Sequence, residues 1–462
     1  MKLKFVCLLV LVVVFSSGTA LAGVTKVSVD SIGSDTVWSG TVLVEKPLKV
    51  ARGATLTVKP GTEVRFKKGA GLDVEGVLKA VGRKGSPVTF TSDEPKPAKA
   101  DWTGISFNEA GDGSALKFCR ITYAGAVSIA VCSPPVENCE ISKGDKGIVF
   151  ARKSSPVIKG NVIREMTGGG LLCQMGSAPV ITGNTIDRCS PDGISSGQDS
   201  EPVIKGNTFI GCESGVTLNQ TETSVEDNTF KGNKDGMIIA SAGGGLRLRG
   251  NRFIGNEIGV MCQQFSSPLI EKNEISHNKQ GILCFRAASP VIRNNEIADN
   301  GEGISCTQLC NPRITGNSIH GNKKGVYLDL SSYALINGNN IYANKVQVEL
   351  GNMSSDWENR VNKKPTRGSQ AQNASLASRG KAVAQPVDDG AAIMGYVDAT
   401  GNWWGDNTTS EMDGKGSDAD IKGFIDYYDV PTRTYEGYTG VYVQDKIKYS
   451  GWKKSRIKDA GR

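Results

Sequence analysis

Residues 267–306 read SPLIEKNEISHNKQGILCFRAASPVIRNNEIADNGEGISC, nearly one phrase written twice. Ser267-Pro268-Leu269-Ile270 returns as Ser289-Pro290-Val291-Ile292, and Asn273 returns as Asn295. Gly281-Ile282-Leu283-Cys284 returns as Gly303-Ile304-Ser305-Cys306. Aligned on the asparagine, the phrase runs through Asn138, Asn161, Asn184, Asn207, Asn228, Asn251, Asn273, Asn295, Asn317 and Asn339, in steps of 21 to 23 residues. A fixed period of this size marks a solenoid or array. Apolar residues alternate at period two and are mostly β-branched, so the units are short strands. The Leu-x-x-Leu-x-Leu frame of leucine-rich repeats is absent. Two or three strands per turn, each paired with the next turn, make an all-β parallel β-helix with coils of about 22 residues. At ~4.8 Å per coil, roughly 14 coils would build a rod ~70 Å long.

Such a coil explains the asparagines. At each corner, backbone groups leave the strand ladder and must still be satisfied. An asparagine there can bond its counterpart one coil away, and it tolerates the left-handed conformation of a tight bend. A second column follows at Asn233, Asn256, Asn278, Asn300, Asn322 and Asn344, with Cys189 and Cys212 in register. The fourth position of the Gly-Φ-x-Φ phrase, where Φ is apolar, reads Phe150, Cys173, Ser196, Leu218, Ile239, Cys262, Cys284, Cys306 and Leu328. It is mostly apolar, so it faces inward, and cysteine serves there as a small hydrophobe. Cys119 and Cys139 directly follow the asparagine column. They are expected to face outward in neighbouring coils and to be a possible disulfide, because a ~4.8 Å Cα spacing lies in the permitted range.

The flanks have other compositions. Residues 1–22 carry two lysines, an apolar run and a small-residue end at Ala20-Leu21-Ala22, the order of a secretory signal peptide. The expected product is exported, periplasmic or extracellular, with no transmembrane span after cleavage. Residues 23–40 read as an N-terminal cap, 41–350 as the helix, and 351–392 as a polar, disordered excursion. Residues 393–418 read as a final coil in which Asn402 takes the place of Asn339, and 419–462 as a C-terminal cap and charged tail. Fifty-seven glycines and 6% aromatic residues argue against a conventional large core. The net charge of +7, two units of it from Lys2 and Lys4, is too mild to indicate nucleic acid.

The Pro-Val-Ile-x-x-Asn-x-Ile coils and the closing Asn402-Trp403-Trp404-Gly405 resemble the right-handed parallel β-helix repeat proteins. These form the pectate-lyase-like superfamily, in its carbohydrate-binding and sugar-hydrolase branch. The resemblance spans roughly residues 40–450 and implies the handedness of the coil. For function it implies a choice among lyases, hydrolases, epimerases, adhesins and scaffolds, because one fold hosts many sites. The branch also holds a periplasmic protein of nitrous oxide reductase maturation, described as copper-binding. The two histidines, His277 and His320, stand at different offsets in their coils, so no copper site is carried over.

A sugar hydrolase needs paired carboxylates at a set distance. The clustered aspartates and Gly-His-Gly phrase of polygalacturonase-like members are missing, and Arg456-Ile457-Lys458 stands alone in the tail. The best acidic pair is Glu274 with Glu296, which reads as two solvated side chains. No catalytic, cofactor-binding or metal set emerges. The third residue of Gly-Φ-x-Φ should point outward. That column reads Val149, Leu172, Ser195, Thr217, Ile238, Met261, Leu283, Ser305 and Tyr327, with Gln264, Arg286 and Gln308 nearby. The face from Ile238 to Tyr327 is therefore the candidate contact with a polysaccharide or cell-envelope protein. The alternative is a lyase, hydrolase or epimerase with an unrecognised active site.

Overall fold

The computed structural model describes residues 23–197, 199–361 and 395–461; the signal-peptide reading of residues 1–22 lies outside them. Each coil lays down three short strands, and each strand pairs in parallel with its counterpart one coil on. The result is three long sheets of 15, 16 and 14 strands, called sheets 1, 2 and 3 in the order the chain visits them. In one coil, sheet 3 takes Leu269–Glu271, sheet 1 takes Glu274–Ser276 and sheet 2 takes Gln280–Phe285. Ile270, Ile275, Ile282 and Cys284 point into the lumen and are fully buried. Side chains stack on their own kind from coil to coil. The rings of Phe209, Phe230 and Phe253 are nearly parallel, with centroids 4.7 and 4.5 Å apart.

The corners carry the backbone logic. Between sheets 3 and 1, Asn251, Asn273, Asn295, Asn317 and Asn339 are buried. Asn273 Oδ1 accepts from the Asn251 backbone N–H at 2.9 Å and from its Nδ2 at 3.0 Å. Asn273 Nδ2 in turn donates to Asn295 Oδ1 at 2.9 Å and to the Leu248 carbonyl at 3.1 Å. The column runs on to Asn402, whose Oδ1 accepts from the Asn339 N–H at 2.8 Å. Asn233 to Asn344 bond in the same way at the corner between sheets 1 and 2. The third corner uses hydroxyls, as where Cys310 N donates to Ser332 Oγ at 3.1 Å.

Two expectations fail at the first corner, for one reason. The left-handed residue is the one before the column, not the column itself. It is glycine in many coils, such as Gly183 and Gly206, and elsewhere Lys272 (φ 56°) or Asn294 (φ 55°). Asn138 belongs to this set (φ 54°) and is exposed, so it is not a member of the column. The column's member there is Cys139, whose N–H donates to Asn161 Oδ1 at 2.8 Å. Below it stands Cys119, whose N–H meets Cys139 Sγ at 3.4 Å. Both cysteines therefore face inward, 2% exposed, and both are free thiols, so the outward pair and its disulfide are not found.

The ends also differ from the reading. Residues 23–40 are the first coil itself. Thr25–Val27, Ser31–Ile32 and Thr36–Trp38 each pair with the next coil. The supposed excursion at 351–392 begins as ordered chain, with a helix at Ser355–Val361 that buries Ser355 and Glu358; residues 362–394 lie outside the described residues. The final coil is incomplete. After Asn402, a helix at Asp406–Lys415 replaces further strands. Phe424–Ile425 then adds to the end of sheet 2, and Trp404, Phe424 and Tyr449 plug the lumen. Arg456-Ile457-Lys458 is held to the last coil by two 2.8 Å bonds between Ile457 backbone and the Asn340 side chain.

Candidate functional site

Sheet 2 orients the candidate face. Its strands alternate lumen-facing Φ residues with outward ones, so the third residue of each Gly-Φ-x-Φ phrase forms an outer column. Thr217, Ile238, Met261, Leu283, Ser305, Tyr327 and Glu349 are consecutive partners in that column. The structure thus brings Ile238, Met261 and Leu283 together, and the buried Ser305 separates them from Tyr327. All four of these larger side chains are half-buried, because each lies against its neighbours along the column. Tyr327 ends the stripe under charge. Lys324 Nζ lies 4.2 Å from its ring centroid and pairs with Glu349 at 2.9 Å. Burial and the nearby carboxylates push its phenol up.

Gln264, Arg286 and Gln308 do not stand on this face. They occupy the left-handed position just past the strands, with φ of 54°, 52° and 62°, and form an exposed ridge beside it. Arg286 covers the Phe285 ring at 4.9 Å. The same turn presents residues that the sequence reading passed over: Phe265, Leu309 and Leu330 are 41%, 39% and 38% exposed. Extending the 22-residue alignment past Gly-Φ-x-Φ would have found them.

A second omission lies on the other side of the stripe. The residue before the glycine of each phrase also points outward, and there Asp192, Ser214 and Asp235 are consecutive partners. Thr217 Oγ1 donates to Asp192, and Ser214 and Thr217 hydroxyls lie 2.9 Å apart. Burial raises both aspartates from the ordinary carboxyl value. Asp235 is only 9% exposed. By contrast, the pair singled out from sequence is dispersed into separate contacts. Arg252 Nε holds Glu274 at 2.8 Å, while Glu296 bonds His320 and Ser318.

The chain matches the family described as "Right handed beta helix region" over residues 103–253. It also matches the family described as "Periplasmic copper-binding protein (NosD)" over residues 205–312 and 245–409. A search of curated proteins gives no match. Among solved structures, it is similar to the Azotobacter vinelandii mannuronan C-5 epimerase AlgE6 A-module. The identity is 16%, the alignment covers 65% of this chain and 79% of that one, and the TM-score is 0.32.

A copper ion would need a gathered set of soft or imidazole ligands. Among the described residues, no three histidine, cysteine or acidic side chains gather closely enough to hold a metal ion. His277 is exposed in a left-handed turn, and His320, on sheet 1, stacks on Tyr342 at 4.8 Å, whereas Cys262, Cys284 and Cys306 are on sheet 2. Cys262, Cys284 and Cys306 are stacked but lie fully buried in the lumen, and burial raises the Cys262 thiol well above its usual range. Protonated thiols are poor ligands. These residues do not make a copper centre. Three in-register parallel sheets wound from 22-residue coils, with the family match over residues 103–253, identify the chain as a right-handed parallel β-helix repeat protein.

Proposed function

We propose that the protein is an exported, periplasmic, non-catalytic rod that binds a polysaccharide along the outer face of sheet 2. The observation that carries this is the in-register column from Thr217 to Tyr327 beside the exposed turn ridge of Gln264, Arg286 and Gln308. Apolar bodies at ~4.8 Å steps suit the aliphatic faces of sugars, and the flanking amide and guanidinium groups suit their hydroxyls. The likeness to a family described as periplasmic supports the compartment.

Retention of the protein on a panel of neutral and acidic polysaccharides, with product release measured in parallel, tests the reading. Retention without product release is expected. Full burial of a Met or Leu side chain is worth about 1.5–3 kcal/mol, so completing a half-buried one adds roughly 1 kcal/mol. The double change Met261→Ser with Leu283→Ser should then weaken retention by about 30-fold while the circular dichroism spectrum stays unchanged. Undiminished retention, or capture of an envelope protein and no glycan, would sink the polysaccharide reading.

One observation favours a second reading. Asp192 and Asp235 are two outward carboxyls raised by burial, and such groups concentrate at catalytic sites. Two coils separate them by ~9.6 Å at the backbone, near the range of carboxyls that flank a water and a glycosidic bond. Product release that Asp192→Asn abolishes would establish this enzymatic reading in place of the first.

A further inference from the structure

A trough of about 340 Å³ lies on the outer face of sheet 2 at its N-terminal end, coils away from the apolar stripe. Asp30 stands at one wall, and Lys49, Asp73, Ser106 and Ser128 line its length. Those four are consecutive partners in one column. At ~4.8 Å per step they span roughly 14 Å. Ser128 then pairs with Val149 and Val149 with Leu172, so the trough continues the column that carries the stripe. Gly104 lines the trough too: its φ is 108°, and a Cβ would lie 1.8 Å from the carbonyl oxygen of its strand partner Ala126, so glycine lets the two coils approach closely there.

The charges in the trough decide what it can take. Lys49 is already neutralised by Glu75 at 2.8 Å, and Asp30 by Lys46 at 2.7 Å. Asp73 makes no ion pair or hydrogen bond among the described residues, and neither do the hydroxyls of Ser106 and Ser128. Lys49, one step along the column, attracts Asp73 but is paired with Glu75. The Asp73 carboxylate therefore keeps its hydrogen-bonding capacity and, beside two free hydroxyls, accepts from hydroxyl or amine donors. It repels a ligand carboxylate or phosphate at the same distance. The volume falls within the range of small-ligand sites.

We propose that this trough is a subsite for a neutral or amine-bearing sugar unit, and that it selects against polyuronates. The proposal rests on the glycan-binding reading above and narrows its substrate class. The test uses the full chain. Affinities are measured at fixed ionic strength for a chito-oligosaccharide in acetylated and deacetylated forms, a neutral gluco-oligosaccharide, and an oligogalacturonate. The neutral or amine-bearing oligomers should bind at least tenfold more tightly than the uronate. Ser106→Trp, which fills the trough, should weaken binding at least tenfold without moving the unfolding midpoint. Asp73→Lys should reverse the preference toward the uronate, and it serves as the second variant if Ser106→Trp folds poorly. Preferential uronate binding by the wild type, or binding of none of the four, overturns the proposal. If the Met261→Ser, Leu283→Ser protein loses binding while both trough variants keep the wild-type affinity and preference, the trough falls and the stripe stands. The opposite pattern supports the trough and removes the stripe.

Discussion

A single corner residue shows how finely this chain is specified. Asn138 and Asn273 are both asparagines in the same repeat phrase, yet they do different work. Asn273 is 2% exposed, and its Oδ1 satisfies two donors of Asn251. Asn273→Leu would leave the Asn251 N–H and the Leu248 carbonyl without those partners, and each buried orphan costs about 1–3 kcal/mol. Asn138 is exposed and left-handed, which glycine tolerates better than asparagine. Asn138→Gly should therefore stay within about 1 kcal/mol of wild type. Urea unfolding of both variants checks the pair, and equal losses would contradict this division of roles. Asp235 gives a pH-dependent companion. Its folded pKa is raised by burial, so its contribution to stability is fullest below the unfolded value and falls as pH rises through the folded one. At pH 7, well above the unfolded value, its burial works against the fold. Asp235→Asn should raise the thermal midpoint at pH 7, and the gain should fade by about pH 3, below the unfolded range. A lowered midpoint at pH 7 would show that the carboxylate has a stabilising partner.

At the scale of the element, the period was the legible part. Gly281-Ile282-Leu283-Cys284 and its counterparts announce a strand with two lumen-facing residues, and the 22-residue return announces what it pairs with. That is enough for the solenoid, because in-register parallel pairing repeats one local decision. The misreadings came where one residue type suits two adjacent positions. Asparagine fits both the buried column and the left-handed site before it, so the sequence alone puts Asn138 one residue off and turns Cys119 and Cys139 outward with it. The half-burial of Met261 and Leu283 was not legible either, since alternation tells which side a residue faces but not how closely its neighbours cover it. Asp192 and Asp235 escaped notice because they are 43 positions apart in the chain. Only the coil makes them neighbours once removed. The N-terminal trough was missed for a related reason: its coils lack the asparagine phrase, so Lys49, Asp73, Ser106 and Ser128 could not be aligned by it.

For the whole molecule, what matters is how a quasi-one-dimensional stack ends. Each coil touches only its neighbours, so stability is close to a sum of local terms and the end coil is the weakest. The C-terminal closure depends on contacts that no repeat could announce. Asp445, 2% exposed, accepts from Ser355 N at 2.8 Å, from Ser355 Oγ at 2.9 Å and from the Tyr333 hydroxyl at 2.8 Å. Its own N–H donates to the Met353 carbonyl at 2.9 Å. One carboxylate thus ties the last coils, the short helix and the closing strands together. Asp445→Ala should release that junction and cost about 1–3 kcal/mol for each donor left buried. In a stack coupled only through nearest neighbours, the damage should stay local. Hydrogen exchange should speed up in Val346–Leu350, Phe424–Ile425 and Lys446–Lys448, while Glu140–Ser142 and Val162–Arg164 keep their protection. Uniform loss along the rod would mean that it opens as one cooperative unit, and the closure would then hold the entire stack rather than its last coils.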